Sequence, residues 1–192
     1  MSVRILLAGA SLAVLGTVAA QAADLIIPTT PQPIYEAAGF DWEGLYVGVR
    51  AGGQFVQNGT YIGSASNTTS GLIGGAVGVN FLPMDPLLLG AEVTGDYIWA
   101  GSTHSAEFYA NLRAGAVLTD SVLVYAIGGV GIKSTSANGS TGIYQLGGGV
   151  ELAVTDAITV RGEIVGQGDF EHGTGDQFFE AAKATVGVFY HF

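Results

Sequence analysis

From Trp42 to Phe192 the sequence divides into eight runs of alternating apolar and polar or small residues, near 44–56, 70–81, 87–99, 106–118, 122–133, 142–154, 158–167 and 178–192. A period of two residues is the pattern of a strand with two unlike faces. The connections alternate too. "LPMDP", "TDS" and "TDA" are tight, whereas "QNGTYIGSASNTT", "AGSTHS", "STSANGST" and "GDFEHGTGDQ" are longer and polar. Short turns at one end and longer loops at the other predict an all-β fold, an eight-stranded antiparallel up-and-down barrel of the transmembrane kind. A soluble barrel or a sandwich has similar strand spacing, so the chemistry of the two faces must decide.

The bulky apolar residues set the register. Leu45, Val47, Val49 and Phe55 share one face of the first run, leaving Arg50 opposite. Phe108, Leu112 and Leu118 leave Arg113 opposite; Ile158, Val160 and Ile164 leave Arg161 and Glu163; Val186, Val188, Tyr190 and Phe192 leave Lys183. The fifth run is apolar on both faces, and Lys133 is placed inward by analogy alone. Glu92, Asp96, Glu107 and Glu151 join the charged face, which is also rich in glycine. Acids and bases on one face can pair inside a barrel, whereas an arginine facing lipid near the midplane costs about 2–4 kcal/mol. The expected lumen therefore contains Arg50, Glu92, Glu107, Arg113, Lys133, Glu151, Arg161, Glu163 and Lys183. Long side chains meeting across the axis should form a plug, because eight strands enclose only enough room for side chains. Trp42, Tyr190 and Phe192 are expected in the aromatic girdle on the lipid side.

Composition agrees with a lipid environment. Only 11% of residues are charged while 48% are hydrophobic, against about 25% charged in ordinary globular domains. No internal stretch reaches the roughly 20 apolar residues of a spanning helix. The net charge of −10 with six Lys and Arg argues against nucleic-acid binding. There is no cysteine, hence no disulfide framework. "MSVRILLAGASLAVLGTVAAQAAD" opens with Arg4, continues apolar, and presents Ala20 and Ala22 as an A-x-A site. A secretory signal over 1–22 is expected, cleaved after Ala22. Residues 23–41, with Pro28, Pro31 and Pro33, read as an extended periplasmic leader, since proline denies ladder donors. The barrel then occupies 42–192.

"DWEGLYVGVRAGG" (41–53), "GGGVELAVTDAITVRGEI" (147–164) and "TVGVFYHF" (185–192) resemble the first strand, penultimate hairpin and closing strand of the alphaproteobacterial outer-membrane immunogenic proteins. This is a family of porin-like, opacity-type small barrels. The hairpin departs from it at Ile164, where the family usually carries tyrosine. The resemblance implies an eight-stranded barrel of the Gram-negative cell outer membrane with an envelope or surface-antigen role. The partners it entails are outer-membrane lipid, lipopolysaccharide and the barrel-assembly machinery.

Chemistry beyond the lumen is sparse. His104 and His172 lie in loops beside Ser105 and Glu171, without the ordered acid–base–nucleophile arrangement of a catalytic site. A metal site from His104, Asp169, Glu171 and His172 rests on residues that recur in any polar loop. "NGT" (58–60), "NTT" (67–69) and "NGS" (138–140) match glycosylation sequons but read as turn chemistry. "GGVGIKS" (128–134) lies inside a strand pattern and lacks the strand–loop–helix context of a phosphate loop. No cofactor is expected, and no enzymatic activity. The expected role is structural, with at most a narrow pore. A loop-mediated adhesin is the alternative, and a rim enzyme acting on lipid a more distant one.

Overall fold

The computed structural model describes residues 39–56, 68–101, 103–135, 139–170 and 178–192. The expected signal with its Ala20–Ala22 site, nearly all of the expected leader, His172 and Glu171 lie outside the described residues. The chain forms eight strands: β1 (Gly44–Val56), β2 (Thr68–Met84), β3 (Leu87–Ala100), β4 (Thr103–Thr119), β5 (Val122–Thr135), β6 (Gly139–Ala153), β7 (Ile158–Asp169) and β8 (Ala181–His191). Each pairs antiparallel with its sequence neighbours, and β1 pairs with β8, so the sheet closes as a barrel. No helix among the described residues is long and apolar enough to cross a membrane.

The strands are as long as 17 residues, beyond the roughly 9–11 a tilted strand needs to cross the hydrocarbon. The surplus lies mainly at the end of the longer connections, and it corrects the expected boundaries. β3 ends at Ala100 and β4 begins at Thr103; β5 ends at Thr135 and β6 begins at Gly139. Most of "AGSTHS" and "STSANGST" is therefore strand rather than loop. Apolar alternation fades where a strand leaves lipid, but ladder hydrogen bonds continue through Ser and Thr, which suit strands. β8 instead starts later than expected, at Ala181. At the other end, Asp85–Pro86 and Asp120–Ser121 form two-residue turns, and a register shift between Phe81 and Met84 accommodates Pro83, as a missing ladder donor requires.

The two faces separate cleanly. Val49 (67%), Leu112 (72%) and Ile164 (67%) are among a continuous outward band of exposed apolar residues. A soluble monomer rarely exposes more than a few hundred Å² of such surface contiguously; in a bilayer this band is the buried side. Outward aromatic rings lie over neighbouring glycines. A Cβ on Gly71 would come 2.7 Å from the Trp99 ring, and one on Gly166 would come 2.6 Å from the Phe179 ring.

The lumen as candidate functional site

Inward positions follow from the pleat, two residues apart on each strand. On β1 these are Tyr46, Arg50 and Gln54, which rise from the short-turn end to the long-connection end. Each of Arg50, Glu92, Glu107, Arg113, Lys133, Glu151, Arg161, Glu163 and Lys183 is buried, as is Asp96. These five bases are all the Lys and Arg that follow Arg4, and they sit among Glu92, Asp96, Glu107, Glu151 and Glu163; Asp169 and Glu180 are buried as well.

The middle layer centres on Arg50, which grips Asp96 with two bonds (Nε–Oδ1 2.9 Å, Nη2–Oδ2 2.6 Å) and reaches Glu163 at 3.1 Å. A two-pronged guanidinium–carboxylate pair is geometrically specific as well as strong. Lys183 joins Asp96 at 2.8 Å and stands 3.6 Å from Glu107, which Lys133 meets at 3.3 Å. Toward the long-connection end, Gln54 and Gln167 bond each other, and both donate to Glu107; Gln167 also donates to Tyr109. Val56, Tyr109, Ile143 and Ala181 pack together there as an apolar layer.

Near the short-turn end, Glu151 collects Arg113 (2.9 Å), Arg161 (3.0 Å), Thr159 (2.6 Å) and His191 (3.1 Å). Arg161 also pairs with Glu92, and Tyr46 hydroxyl accepts from Arg113 and donates to Glu92. Tyr125 links the layers: its hydroxyl donates to Glu163 at 2.7 Å, while the Arg113 guanidinium lies 4.0 Å from its ring centroid. Charges taken from water are tolerated only when paired and hydrogen-bonded. Here Glu107–Lys133 and Glu151–Arg161 pair between adjacent strands, whereas Arg161–Glu92 and Lys183–Glu107 reach across the lumen, so that the network ties neighbouring and facing walls together. Inward glycines make this possible. A Cβ on Gly115 would come 2.7 Å from Tyr125 Cβ, and the ring uses that space.

Trp42 corrects the expectation. It is not a girdle residue: it is 3% exposed, inside the short-turn mouth, packed with Leu88, Leu123 and Phe40. It precedes β1 but shares the inward parity of Tyr46 and Arg50, and exposed Asp41 and Glu43 on either side of it continue the strand's alternation. Tyr190 and Phe192 do face outward, with ring centroids 5.1 Å apart. His104 lies on the outer side, stacked on Tyr97, away from the buried acids. Among the described residues no three His, Asp or Glu converge as a metal site. Sequence reasoning missed Tyr46, Gln54, Tyr109, Tyr125, Thr159, Gln167 and His191 as members of the network. All share the inward parity of the named charges, and that parity was the available sign.

The sequence matches the model of the outer membrane protein beta-barrel domain over residues 10–192. No curated protein matches. Among solved structures, the Neisserial surface protein A is similar at a TM-score of 0.54 and 16% identity, covering 78% of this chain and 97% of that one. The N-terminal beta-barrel domain of Pseudomonas aeruginosa OprF gives 0.50 and 15%, over 78% and 99%. The attachment invasion locus protein Ail of Yersinia pestis gives 0.51 and 11%, also over 78% and 99%. At these identities the likeness is one of fold: small closed barrels of the same size. The alternating sequence, the inverted faces, the closed eight-strand sheet and the family match converge, and the chain belongs to the outer membrane protein beta-barrel domain family, a barrel of the cell outer membrane.

Proposed function

We propose that this protein is a non-enzymatic, structural component of the envelope that presents its longer connections at the surface as antigen and does not conduct as a general porin. The observation that carries the reading is the cross-barrel network, in which every lumen base meets an acid of another strand. Eight-stranded barrels leave an interior that side chains fill, whereas aqueous channels accompany about 16–18 strands. The lipid-side partners in this reading are outer-membrane lipid and lipopolysaccharide, with the barrel-assembly machinery acting in insertion. The two-residue gap between β3 and β4 and the three-residue gap between β5 and β6 leave little surface for an adhesin there.

Planar-bilayer recording of the refolded protein tests the reading. Silence, or only brief openings far below those of a general porin, is the expected result. Stable porin-sized steps would refute it. Lipid A mass spectra from cells with and without the protein test the non-enzymatic part, and identical spectra are expected.

A further inference from the structure

At its short-turn end the barrel carries an apolar collar beyond the charged layers. Leu82, Leu88, Val117, Leu123 and Ala153, from the successive strands β2 to β6, gather around Phe40 and Trp42. His191 of β8 faces the same two rings, with centroids 5.0 Å from Phe40 and 6.2 Å from Trp42. Apolar side chains at an open mouth gain from any apolar cover, and the chain's own approach to β1 supplies it.

That approach crosses the mouth from wall to wall. The backbone enters the ladder at Gly44, whose φ of 116° is a conformation that residues with a Cβ rarely adopt. Gly39, at the other end of the segment, lies against the β4–β5 turn. A Cβ on Gly39 would stand 2.8 Å from Asp120 Cβ, and its nearest neighbours are all atoms of Asp120. In the closed order from β1 to β8 that turn lies across the barrel from β1. The residues between Gly39 and Gly44 can span at most about 17 Å, which suffices for a barrel whose interior only side chains fill. Asp41 Oδ1 accepts the Glu43 N–H at 3.0 Å and ties the crossing into a turn. Its faces differ: Asp41 and Glu43 are exposed, whereas Trp42 is buried and Phe40 half-buried.

We propose that residues 39–43 are a strap seated across the short-turn mouth as its stopper, with Phe40 and Trp42 as the plugging rings, Gly44 as the fixed bend and Asp120 as the far seat. The lumen is then closed on this side by the chain's own approach to β1 and not by the ion-pair layers alone. The strap's acids stay on the outer side, while its rings cover Leu88 and Leu123. The strap stops the mouth whether or not the charged layers conduct. Its failure is therefore read by thiol chemistry, and failure of the non-conducting reading by current.

The test uses the chain from Ala23 onward, refolded in detergent micelles, with cysteines introduced into a sequence that has none. A slight shift of Gly39 brings its Cβ to the roughly 3.5–4.5 Å from Asp120 Cβ that a disulfide spans. Copper–phenanthroline should therefore link Gly39→Cys to Asp120→Cys in folded protein, read in mass spectra as loss of both maleimide-reactive thiols. Gly39→Cys paired with Asp156→Cys, in the β6–β7 turn, should link several-fold more slowly. No link in the first pair, or equal rates in the two, would show an unseated segment and overturn the proposal. Leu123→Cys as the single cysteine then reports closure. Maleimide should label it slowly in the otherwise native chain and several-fold faster when Phe40→Ser and Trp42→Ser unseat the strap. Equal labelling in the two folded proteins would overturn the stopper; if the serine variant does not fold, the paired cross-links decide.

Discussion

Glu151 has four neighbours, Arg113, Thr159, Arg161 and His191, whereas Lys133 meets the ion-pair network at Glu107, which also has Lys183, Gln54 and Gln167. Removing one member of a buried ion pair leaves the other charge uncompensated and costs about 3–5 kcal/mol. Glu151→Gln removes an acid shared by two guanidiniums and leaves Arg113 and Arg161 with Glu92 as their one common carboxylate, so it should lower stability by about that amount. Lys133→Met should cost clearly less, since Glu107 keeps three of these partners. Urea unfolding in lipid vesicles, followed by tryptophan fluorescence, measures both. Equal losses would show that position in the network does not matter. The inward side of Arg50, Arg113, Arg161 and Lys183 was readable from two-residue alternation, because each lies among bulky apolar neighbours of opposite parity. Lys133 was not readable in this way: β5 places Leu123, Tyr125 and Ile127 inward, so both of its faces look alike. Nor does alternation say which acid meets which base. Arg50 and Glu163 are 113 positions apart in the chain, and only the closed barrel makes them neighbours.

Each strand carries its environment as a pair of opposed faces, and the two sides should respond oppositely to charge. Leu112 is outward at the middle of β4, one residue from inward Arg113. Leu112→Arg should destabilise the folded state in vesicles by about 2–4 kcal/mol if it lies near the midplane. In the lumen the cost of a substitution is set instead by space. Gly115→Val would place a Cβ 2.6 Å from Val124 O and 2.7 Å from Tyr125 Cβ, displacing the ring that joins Glu163 to Arg113. A sharp fall in folded yield on gels is expected, and normal yield would show that Tyr125 can move aside. The existence of all eight strands was legible, but their upper ends were not. Hydrophobic alternation reports lipid contact, whereas β4 continues as a ladder through Thr103–Ser105, where polar residues still pair with Trp99 and Ile98.

For the molecule as a whole, closure through the β1–β8 ladder from Tyr46–His191 to Val56–Ala181 leaves no free strand edge. With every backbone group of the sheet bonded internally, unfolding has no cheap starting point. Unboiled protein should therefore migrate differently from boiled protein in detergent gels, and a β-rich circular-dichroism spectrum should accompany the unboiled band. Identical mobility would contradict a closed barrel. The sequence alone determined the number of strands, which face meets lipid and that the charges lie opposite that face, because these follow from periodicity and from the cost of exposing charge to hydrocarbon. Tertiary structure decided the rest: the pairing of Arg50 with Asp96 and Glu163, the gathering of Arg113, Arg161 and His191 on Glu151, and the packing of Trp42 against Leu88 and Leu123 inside the mouth. Those depend on barrel closure and stagger, which set the partners across the axis and which no local stretch of sequence encodes.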